Sequence, residues 1–326
     1  MRPWCGALGR LVELPVPPHV PRWSARLVGV TEPQNETPVR SWPMSNDRAF
    51  DPGVERPLWP SGEGPAILLD GAHHNVLVDH DFMIPFEALM RADGFRVSTG
   101  RSRWTPEVLS GFEIVAVVTA LPFDFSERTE VTDEVTFSQQ EIRALRDWVD
   151  GGGSALILGE HAPFDQAVGP LLKAFGIEAS IGTTIDPMDT HSSGRMGWIV
   201  YSAANGLLNR QHPTVRGNRP EERVRQLVTF RGSALSGAGY ENILRLSEHA
   251  QNVADPTGVG PVGRGDSQAL AGRVGDGKLA AFGDANGFTA VSIEMDDEDP
   301  FRCGMTVRDY DWRQFVLNVM HWLSEP

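Results

Sequence analysis

The chain has 326 residues and a mass of 35.7 kDa, which is long for one compact domain and short for three. Hydrophobic residues make up 40% and charged residues 22%, so collagen-like, disulfide-framework and wholly disordered classes are excluded. The formal net charge is −14, and an acidic chain repels phosphate backbones, so no nucleic-acid partner is expected. The apolar runs fall well short of the roughly 20 residues that cross a bilayer, so no membrane partner is expected either.

The cysteine content indicates a reducing compartment. Cys5 and Cys303 are the two cysteines of the chain, so a structural disulfide is not expected and a cytoplasmic location is predicted. Residues 258–263 match the letters of a dinucleotide-binding motif, but they contain a proline and precede a strand instead of following one. There is also no Walker motif. No nucleotide cofactor is therefore expected.

The first part of the chain is predicted to be a disordered leader, residues 1–62. Half of the 24 prolines fall within the first 65 residues, where they interrupt helices and central strands. Met44 is a second plausible start, which leaves open whether residues 1–43 belong to the native protein. Residues 63–326 are predicted to form a single α/β domain with an irregular insertion around 180–265.

From Pro65 onward, strand and helix patterns alternate. Strands are predicted at 66–69, 95–98, 113–120, 154–159, 198–201, 224–230, 243–246, 269–274 and 278–282. Helices are predicted at 85–92, 105–109, 138–150, 165–175 and 312–323, the third beginning with a capping box of Ser138 and Glu141. This alternation predicts a flavodoxin-like three-layer α/β sandwich, with a mainly parallel central sheet and helices on both faces.

Polar side chains follow three of the predicted strands. They are Asp70, His73, His74 and Asn75 after the first strand, Glu160 and His161 after the fourth, and Asp284 and Asn286 after the late strand at 278–282. Ligands of open parallel sheets bind beyond the carboxyl ends of the strands, so we expect these residues to converge in one pocket. His191 lies in a polar loop that we expect to close over it.

Three roles are open for this pocket. Imidazole and carboxylate groups suit zinc or another divalent metal, with His73 and His161 as candidate ligands. They equally suit acid–base catalysis, in which a carboxylate orients a histidine. The third role is hydrogen bonding that stabilises the turns. No metal-binding spacing such as His-x-His is present, so the sequence does not decide among the three.

Two functions follow from these alternatives. The first is a small-molecule enzyme, a hydrolase or lyase, with Glu160 or Asp284 as general base and His161 and His73 as acids or metal ligands. The remaining polar residues would then bind the ligand: Asp70, His74, Asn75, His191 and Asn286. The second is a non-catalytic protein that binds a sugar or another polar ligand, or that serves as a scaffold. Whether the chain forms a homo-oligomer is left open.

Four sequence runs resemble those of a known superfamily. They are Asp70-Gly71-Ala72-His73-His74-Asn75, Pro85-Phe86-Glu87-Ala88-Leu89, Ala92-Asp93-Gly94-Phe95 and Trp148-Val149-Asp150-Gly151-Gly152-Gly153-Ser154. In these runs the chain resembles the class I glutamine amidotransferase-like superfamily. Within that superfamily it is similar to a poorly characterised bacterial branch akin to the trehalose-utilisation-like proteins. The resemblance covers about residues 65–324.

The chain departs from that superfamily at the residues that carry its chemistry. Active members place a cysteine nucleophile on the turn after a central strand, and the resemblance puts Glu160 at that position. The position that supplies a histidine after a late strand corresponds to Asp284. Because attack by a thiolate needs the thiol, the resemblance implies the fold without glutamine amidotransferase activity.

Overall fold

The computed structural model describes residues 44–127, 134–255, 258–295 and 298–325. Its strands are β1 (Met44–Asn46), β2 (Ala66–Asp70), β3 (Arg96–Gly100), β4 (Ile114–Val118), β5 (Ser154–Leu158), β6 (Ile177–Ala179), β7 (Thr183–Ile185), β8 (Val200–Ser202), β9 (Gln226–Val228), β10 (Leu235–Gly237), β11 (Glu241–Arg245), β12 (Gln251–Val253), β13 (Ser267–Val274), β14 (Gly277–Phe282), β15 (Ala290–Met295) and β16 (Glu298–Gly304). Its helices are α1 (Val76–Asp79), α2 (Ile84–Ala92), α3 (Pro106–Leu109), α4 (Gln139–Asp150), α5 (Phe164–Ala174), α6 (Pro213–Arg216) and α7 (Trp312–Ser324).

A nine-stranded sheet organises the domain, with the order β3-β2-β4-β5-β14-β13-β10-β6 and with β11 also pairing with β13. The strands from β3 to β14 pair in parallel. Beyond β14 the pairs are antiparallel, so β13 and β6 run against the other seven strands. The structure is therefore a mixed α/β fold with a large, mainly parallel sheet, as the alternating pattern predicts.

Apolar side chains cover both faces of this sheet. In β2, Ile67 and Leu69 pack in one core with residues of α2 and α7, whereas Leu68 packs in a second core with residues of α3, α4 and α5. Successive side chains of a strand point to opposite faces, so these two cores lie on opposite sides of the sheet. Strands buried on both faces have continuous apolar sequences, and β4 is one of them: its five residues are all buried.

Local sequence signals explain where several elements begin and end. The Ser138 side chain accepts a hydrogen bond from the Glu141 N–H at 3.2 Å, and the Ser138 N–H donates to Glu141 at 3.0 Å. This capping box begins α4 where the sequence predicts it. The strands β13 and β14 form the predicted hairpin around Gly275, which has a φ of 57°.

Part of the predicted leader packs on the domain. Met44 pairs with Ile293 of β15, Arg302 Nε donates to Asp47 at 2.6 Å, and the Trp59 ring lies 4.7 Å from that of Phe95. For residues 44–62 the expectation of disorder is therefore wrong, because their few apolar side chains find partners on the core. Residues 1–43 of the predicted leader lie outside the described residues.

The segment predicted as an irregular insertion, 180–265, contains several short strands. Its strands β10 and β11 pair with β13 of the main sheet, while β7 pairs with β12 and β8 pairs with β9. Within the described residues, none of the helices has the length and apolar character needed to span a bilayer.

Candidate functional site

The polar residues after β2 form one buried group. Asp70 Oδ2 lies 2.9 Å from His73 Nδ1, and His73 Nε2 lies 3.0 Å from Glu141 Oε1. The Asn75 side chain donates to Asp70 Oδ2 at 2.6 Å and accepts from the Val118 N–H at 2.7 Å. Both nitrogens of the His73 ring are thus engaged by carboxylates. The group ties the end of β2 to the start of α4 and to β4.

Glu141 is the member of this group that the sequence indicated only as a capping residue. Burial raises the pKa of its carboxyl group, but hydrogen bonds from Ser138 and from the His73 side chain outweigh burial and leave that pKa below its usual value. The His73 ring lies 4.6 Å from the rings of both Trp104 and Phe137. The ionised Glu141 carboxylate therefore holds His73 between two aromatic rings. Such a buried and fully hydrogen-bonded group is typical of a network that stabilises the fold.

A second group forms where β5 and β14 end. Asn286 Nδ2 donates to Glu160 Oε2 at 2.7 Å, and the His161 N–H donates to Glu160 Oε1 at 3.1 Å. Asp284 accepts from the N–H groups of Phe230 and Asn286, and it shares a hydrogen bond with Glu160. The turn after β5 and the turn after β14 are therefore joined through a contact between two carboxyl groups.

These two carboxyl groups hold a proton at neutral pH. Burial raises the pKa of Glu160 well above its usual value, and the nearby charge of Asp284 raises it further. Burial also raises the pKa of Asp284, to about 6. A hydrogen bond between two carboxyl groups requires a proton on one of them, which fits the raised pKa of each. The pair therefore favours a state with one shared proton and one negative charge.

His161 lies on the turn between β5 and α5, beside this pair. Its Nδ1 is 2.8 Å from the Ala162 carbonyl oxygen and 3.2 Å from Asp255 Oδ2. Both partners accept hydrogen bonds, so in the neutral ring Nδ1 carries the proton and Nε2 carries the lone pair. The side chain is 18% exposed, and none of the hydrogen bonds and ion pairs of the described residues involves Nε2. The hydrogen bond to the Ala162 carbonyl oxygen holds the ring with the Asp255 carboxylate beside it, an arrangement that suits a general base.

Asp255 and Arg231 complete the group, and sequence analysis singled out neither of them. Asp255 Oδ2 also accepts from Thr183 Oγ1 at 3.0 Å and from Arg231 Nη2 at 3.2 Å. Arg231 is buried, and its charge acts on Glu160 as well. It directly follows the predicted strand at 224–230, so the rule that selected Glu160 would also have selected Arg231. Asp255 follows only the three-residue strand β12, which the sequence did not reveal.

The backbone around Arg231 is held in an uncommon conformation. Arg231 has a φ of 80°, in the left-handed region that non-glycine residues seldom adopt. Next to it, a Cβ on Gly232 would lie 2.3 Å from the Gly283 carbonyl oxygen, and a Cβ on Gly283 would lie 2.0 Å from the Ser233 carbonyl oxygen. These two glycines allow the segment that carries Arg231 to approach Asp284 closely.

The single pocket expected from the sequence is therefore divided into two groups. Among the contacts of the described residues, none joins Asp70, His73 and Asn75 to Glu160, His161 and Asp284. His74 is exposed in a left-handed conformation with a φ of 45°, and it contributes to neither group's hydrogen bonds. The candidate site is the second group, because it includes a side chain with an open nitrogen.

His191 lies beside the site without entering it. Its ring is 5.2 Å from that of Trp198 and 5.7 Å from that of Tyr310. The loop that carries it touches the site through its backbone, because the Arg231 N–H donates to the Gly197 carbonyl oxygen at 3.0 Å. The predicted loop is thus next to the site, while the predicted histidine faces aromatic neighbours.

A metal site at these residues finds no geometric support. Across the part of the chain that the structure describes, no group of three or more His, Cys, Asp or Glu side chains is arranged to hold a metal ion. The two candidate ligands, His73 and His161, lie in separate groups. His73 would have to give up a carboxylate partner to bind a metal.

A cleft of about 950 Å³ lies apart from both groups. Its described lining comes from residues of 47–56, from Asp93, from residues of 219–222 and 302–308, and from residues of α7. None of the predicted site residues belongs to that lining.

No family model matches the chain, and neither does any curated protein. Among solved structures, the mmIFT52 N-terminal domain is similar with a TM-score of 0.55 and 14% identity, covering 80% of this chain and 98% of that domain. ThuA-like proteins from Bacteroides uniformis and Parabacteroides merdae match with TM-scores of 0.42 and 0.41 and identities of 11% and 14%. They cover 82% and 79% of this chain and 94% and 89% of their own. The likeness to the mmIFT52 domain is one of fold alone.

Proposed function

We propose that this protein is a small-molecule enzyme, a hydrolase or lyase, that works by acid–base chemistry at His161. The observation that carries the proposal is the placement of His161: Nδ1 is 2.8 Å from the Ala162 carbonyl oxygen and 3.2 Å from Asp255, and Nε2 takes part in no hydrogen bond of the described residues. In this geometry Nε2 can take a proton from water or from a substrate carbon. Positioned proton transfer of this kind accelerates reactions by about 10²–10⁴-fold.

Glu160 has the opposite role to the one that its sequence position suggested. Burial and the Asp284 charge raise its pKa well above the usual value, which favours its protonated form and makes it poorly suited to act as the base. A base at His161 next to an acid at Glu160 gives the site both partners of a proton transfer. When the surroundings of two neighbouring titratable groups push their pKa values apart, one group can act as the acid and the other as the base.

We further propose that the fold is the flavodoxin-like three-layer sandwich of the amidotransferase-like branch that lacks the cysteine nucleophile. Support comes from the parallel order of β3 to β14 and from the two cores on opposite faces of the sheet. The thiol present near the site is unsuited to attack. Cys303 is buried, and burial together with the charges of Asp284 and Glu160 raises the pKa of its thiol well above the usual value.

The experiment begins with a thermal-shift screen of a metabolite library on the wild-type protein. Each compound that raises the melting temperature is then incubated with the protein and followed by ¹H NMR. We expect at least one bound compound to be converted. His161→Gln should slow that conversion by about 100-fold or more, with the melting temperature unchanged.

A matched control is His249→Gln, because the His249 side chain is 56% exposed and its ion-pair partner is Glu248, outside the candidate site. That variant should keep full turnover. If every bound compound is recovered intact, the acid–base proposal is wrong and the alternative function holds: a non-catalytic protein that binds a polar ligand.

A further inference from the structure

The charges around His161 indicate which substrates the site accepts. Asp255 lies next to the ring, and the Glu160–Asp284 pair adds one negative charge because it holds a single proton. Against these two negative charges stands the guanidinium of Arg231. One negative charge therefore remains beside His161. Asp165 adds to it above neutral pH, since burial raises its pKa to about 7 and its charge acts on Asp255.

Arg231 is not positioned to bind an anionic substrate. Its Nη2 donates to Asp255 at 3.2 Å, and its side chain is only 9% exposed. Its charge is already used within the protein, on Asp255 and on Glu160. A phosphate or carboxylate at His161 would thus meet two buried acidic groups and a guanidinium that faces the interior. The net charge of −14 for the whole chain also repels anionic molecules, over a longer distance.

We propose that this site selects substrates without an anionic group, and that it excludes carboxylates, phosphate esters and nucleotides. The inference rests on the proposed function, because it takes His161 Nε2 as the group that meets the substrate. An uncharged polar molecule, or one that carries an ammonium group, avoids the repulsion that an anion meets there. The same field favours a transition state that gains positive charge.

The test compares two alkylating probes of nearly equal size, bromoacetate and bromoacetamide, which differ by one negative charge. In both, an imidazole nitrogen displaces bromide, and mass spectrometry of the peptide that contains residue 161 measures the rate. N-acetylhistidine amide in the same solution gives the reference ratio of the two rates. We expect the bromoacetate-to-bromoacetamide ratio at His161 to be at least about threefold below that reference.

A ratio equal to or above the reference overturns the inference while leaving the open His161 Nε2 intact. Failure of both probes to alkylate His161 contradicts the proposed function itself, because Nε2 would then be blocked. The two failures are therefore distinguishable.

A double variant, Glu160→Gln with Asp284→Asn, removes the charge of the pair and should bring the ratio toward the reference. If that variant does not fold, salt serves as the second measurement on the wild-type protein. About 0.5 M NaCl screens charges beyond a few ångströms, so it should raise the bromoacetate rate and leave the bromoacetamide rate unchanged. A ratio that salt does not move contradicts the inference.

Discussion

Two neighbours in the sequence, Glu160 and His161, face opposite environments. Glu160 is 4% exposed and turns toward Asp284, whereas the His161 side chain is 18% exposed and turns toward Asp255. The first environment favours a bound proton, and the second leaves a nitrogen open to accept one. The sequence predicted that both residues lie on a turn at the sheet edge. It could not predict their proton states, because those depend on Asp255 and Asp284, which are about one hundred residues away.

The carboxyl pair should make stability fall as the pH rises. The folded-state pKa values of Glu160 and Asp284 lie above those of the unfolded chain, so the native state binds their protons more tightly. Their contribution is complete below about pH 4, the range of the unfolded-state values, and is lost as the pH rises from there through the folded-state values, about 6 for Asp284. Glu160→Gln keeps the hydrogen-bonding shape and removes one titration. Urea unfolding should show that this variant loses less free energy of unfolding than the wild type between pH 5 and pH 8.

Glu63→Gln is the matched control, since Glu63 is exposed. The free energy of unfolding of Glu63→Gln should change with pH as that of the wild type does. A pH dependence of the free energy of unfolding that Glu160→Gln leaves equally steep would show that the buried pair does not hold the proton.

At the scale of elements, the turn after β14 depends on a close approach between two backbone segments. Gly283→Ala would place a Cβ 2.0 Å from the Ser233 carbonyl oxygen, so one segment must move. Overpacking of this kind costs about 1–3 kcal/mol, and here the obstructing atom belongs to the backbone. We expect Gly283→Ala to lower the free energy of unfolding by about 3 kcal/mol in urea titrations.

The control for this change is Gly111→Ala, where the new Cβ would meet only the Val108 carbonyl oxygen, at 3.7 Å. Its free energy of unfolding should stay within about 0.5 kcal/mol of the wild type. Equal stability of the two variants would contradict the close approach of Gly232 and Gly283.

The network of Asp70, His73 and Glu141 joins β2 to α4. Two variants separate the contribution of the helix cap to stability from that of the contact between His73 and Glu141. Ser138→Ala removes the helix cap and should cost about 1 kcal/mol. Glu141→Ala removes the reciprocal half of the capping box and also leaves His73 Nε2 buried without its partner at 3.0 Å, so it should cost about 2–4 kcal/mol. Thermal and urea unfolding measure both. Equal costs would show that the contact between His73 and Glu141 contributes nothing to stability.

Most of the longer elements could be predicted from the sequence. The apolar run of β4, the capping box of α4 and the glycine turn between β13 and β14 each carry a local signal that tertiary structure does not override. The strands of 180–265 could not be predicted, because several of them are only three residues long and owe their pairing to distant partners. β10, for example, pairs with both β6 and β13.

For the whole molecule, the sequence predicted that Glu160, His161, Asp284 and Asn286 lie close together at one sheet edge, and the contacts of Glu160 with Asn286 and Asp284 place them there; their functional role stays a prediction. It did not predict that Asp70 and His73 form a separate buried group. Strand order alone gives no such information: β4 lies between β2 and β5, Asn75 ties the first turn to Val118 of β4, and His73 ties it to Glu141 of α4. Side-chain partners that are distant in sequence decide which residues share a site.

The described part of the proline-rich segment should act as a structural part of the domain. A chain that begins at Met44 keeps the pairing of β1 with β15 and the packing of Trp59 on Phe95, so we expect its melting temperature to equal that of the full chain. A chain that begins at Gly64 loses both, and removing a packed tryptophan alone costs about 3–5 kcal/mol. Calorimetry on the two shortened chains measures the difference. A large loss of melting temperature in the chain that begins at Met44, or no loss in the chain that begins at Gly64, would contradict the assignment of the described proline-rich segment to the folded domain.

The central claim is that Asp255 orients His161 so that Nε2 is open, and the tautomer of the ring tests it most directly. Two-bond ¹H–¹⁵N NMR correlations at about pH 8.5, where an ordinary imidazole is neutral, distinguish the two tautomers of each histidine. His161→Gln assigns the signal. Because Nδ1 faces the Ala162 carbonyl oxygen at 2.8 Å and Asp255 at 3.2 Å, we predict the Nδ1–H tautomer with an unprotonated Nε2. An Nε2–H tautomer at His161 would contradict both the orientation by Asp255 and the acid–base site built on it.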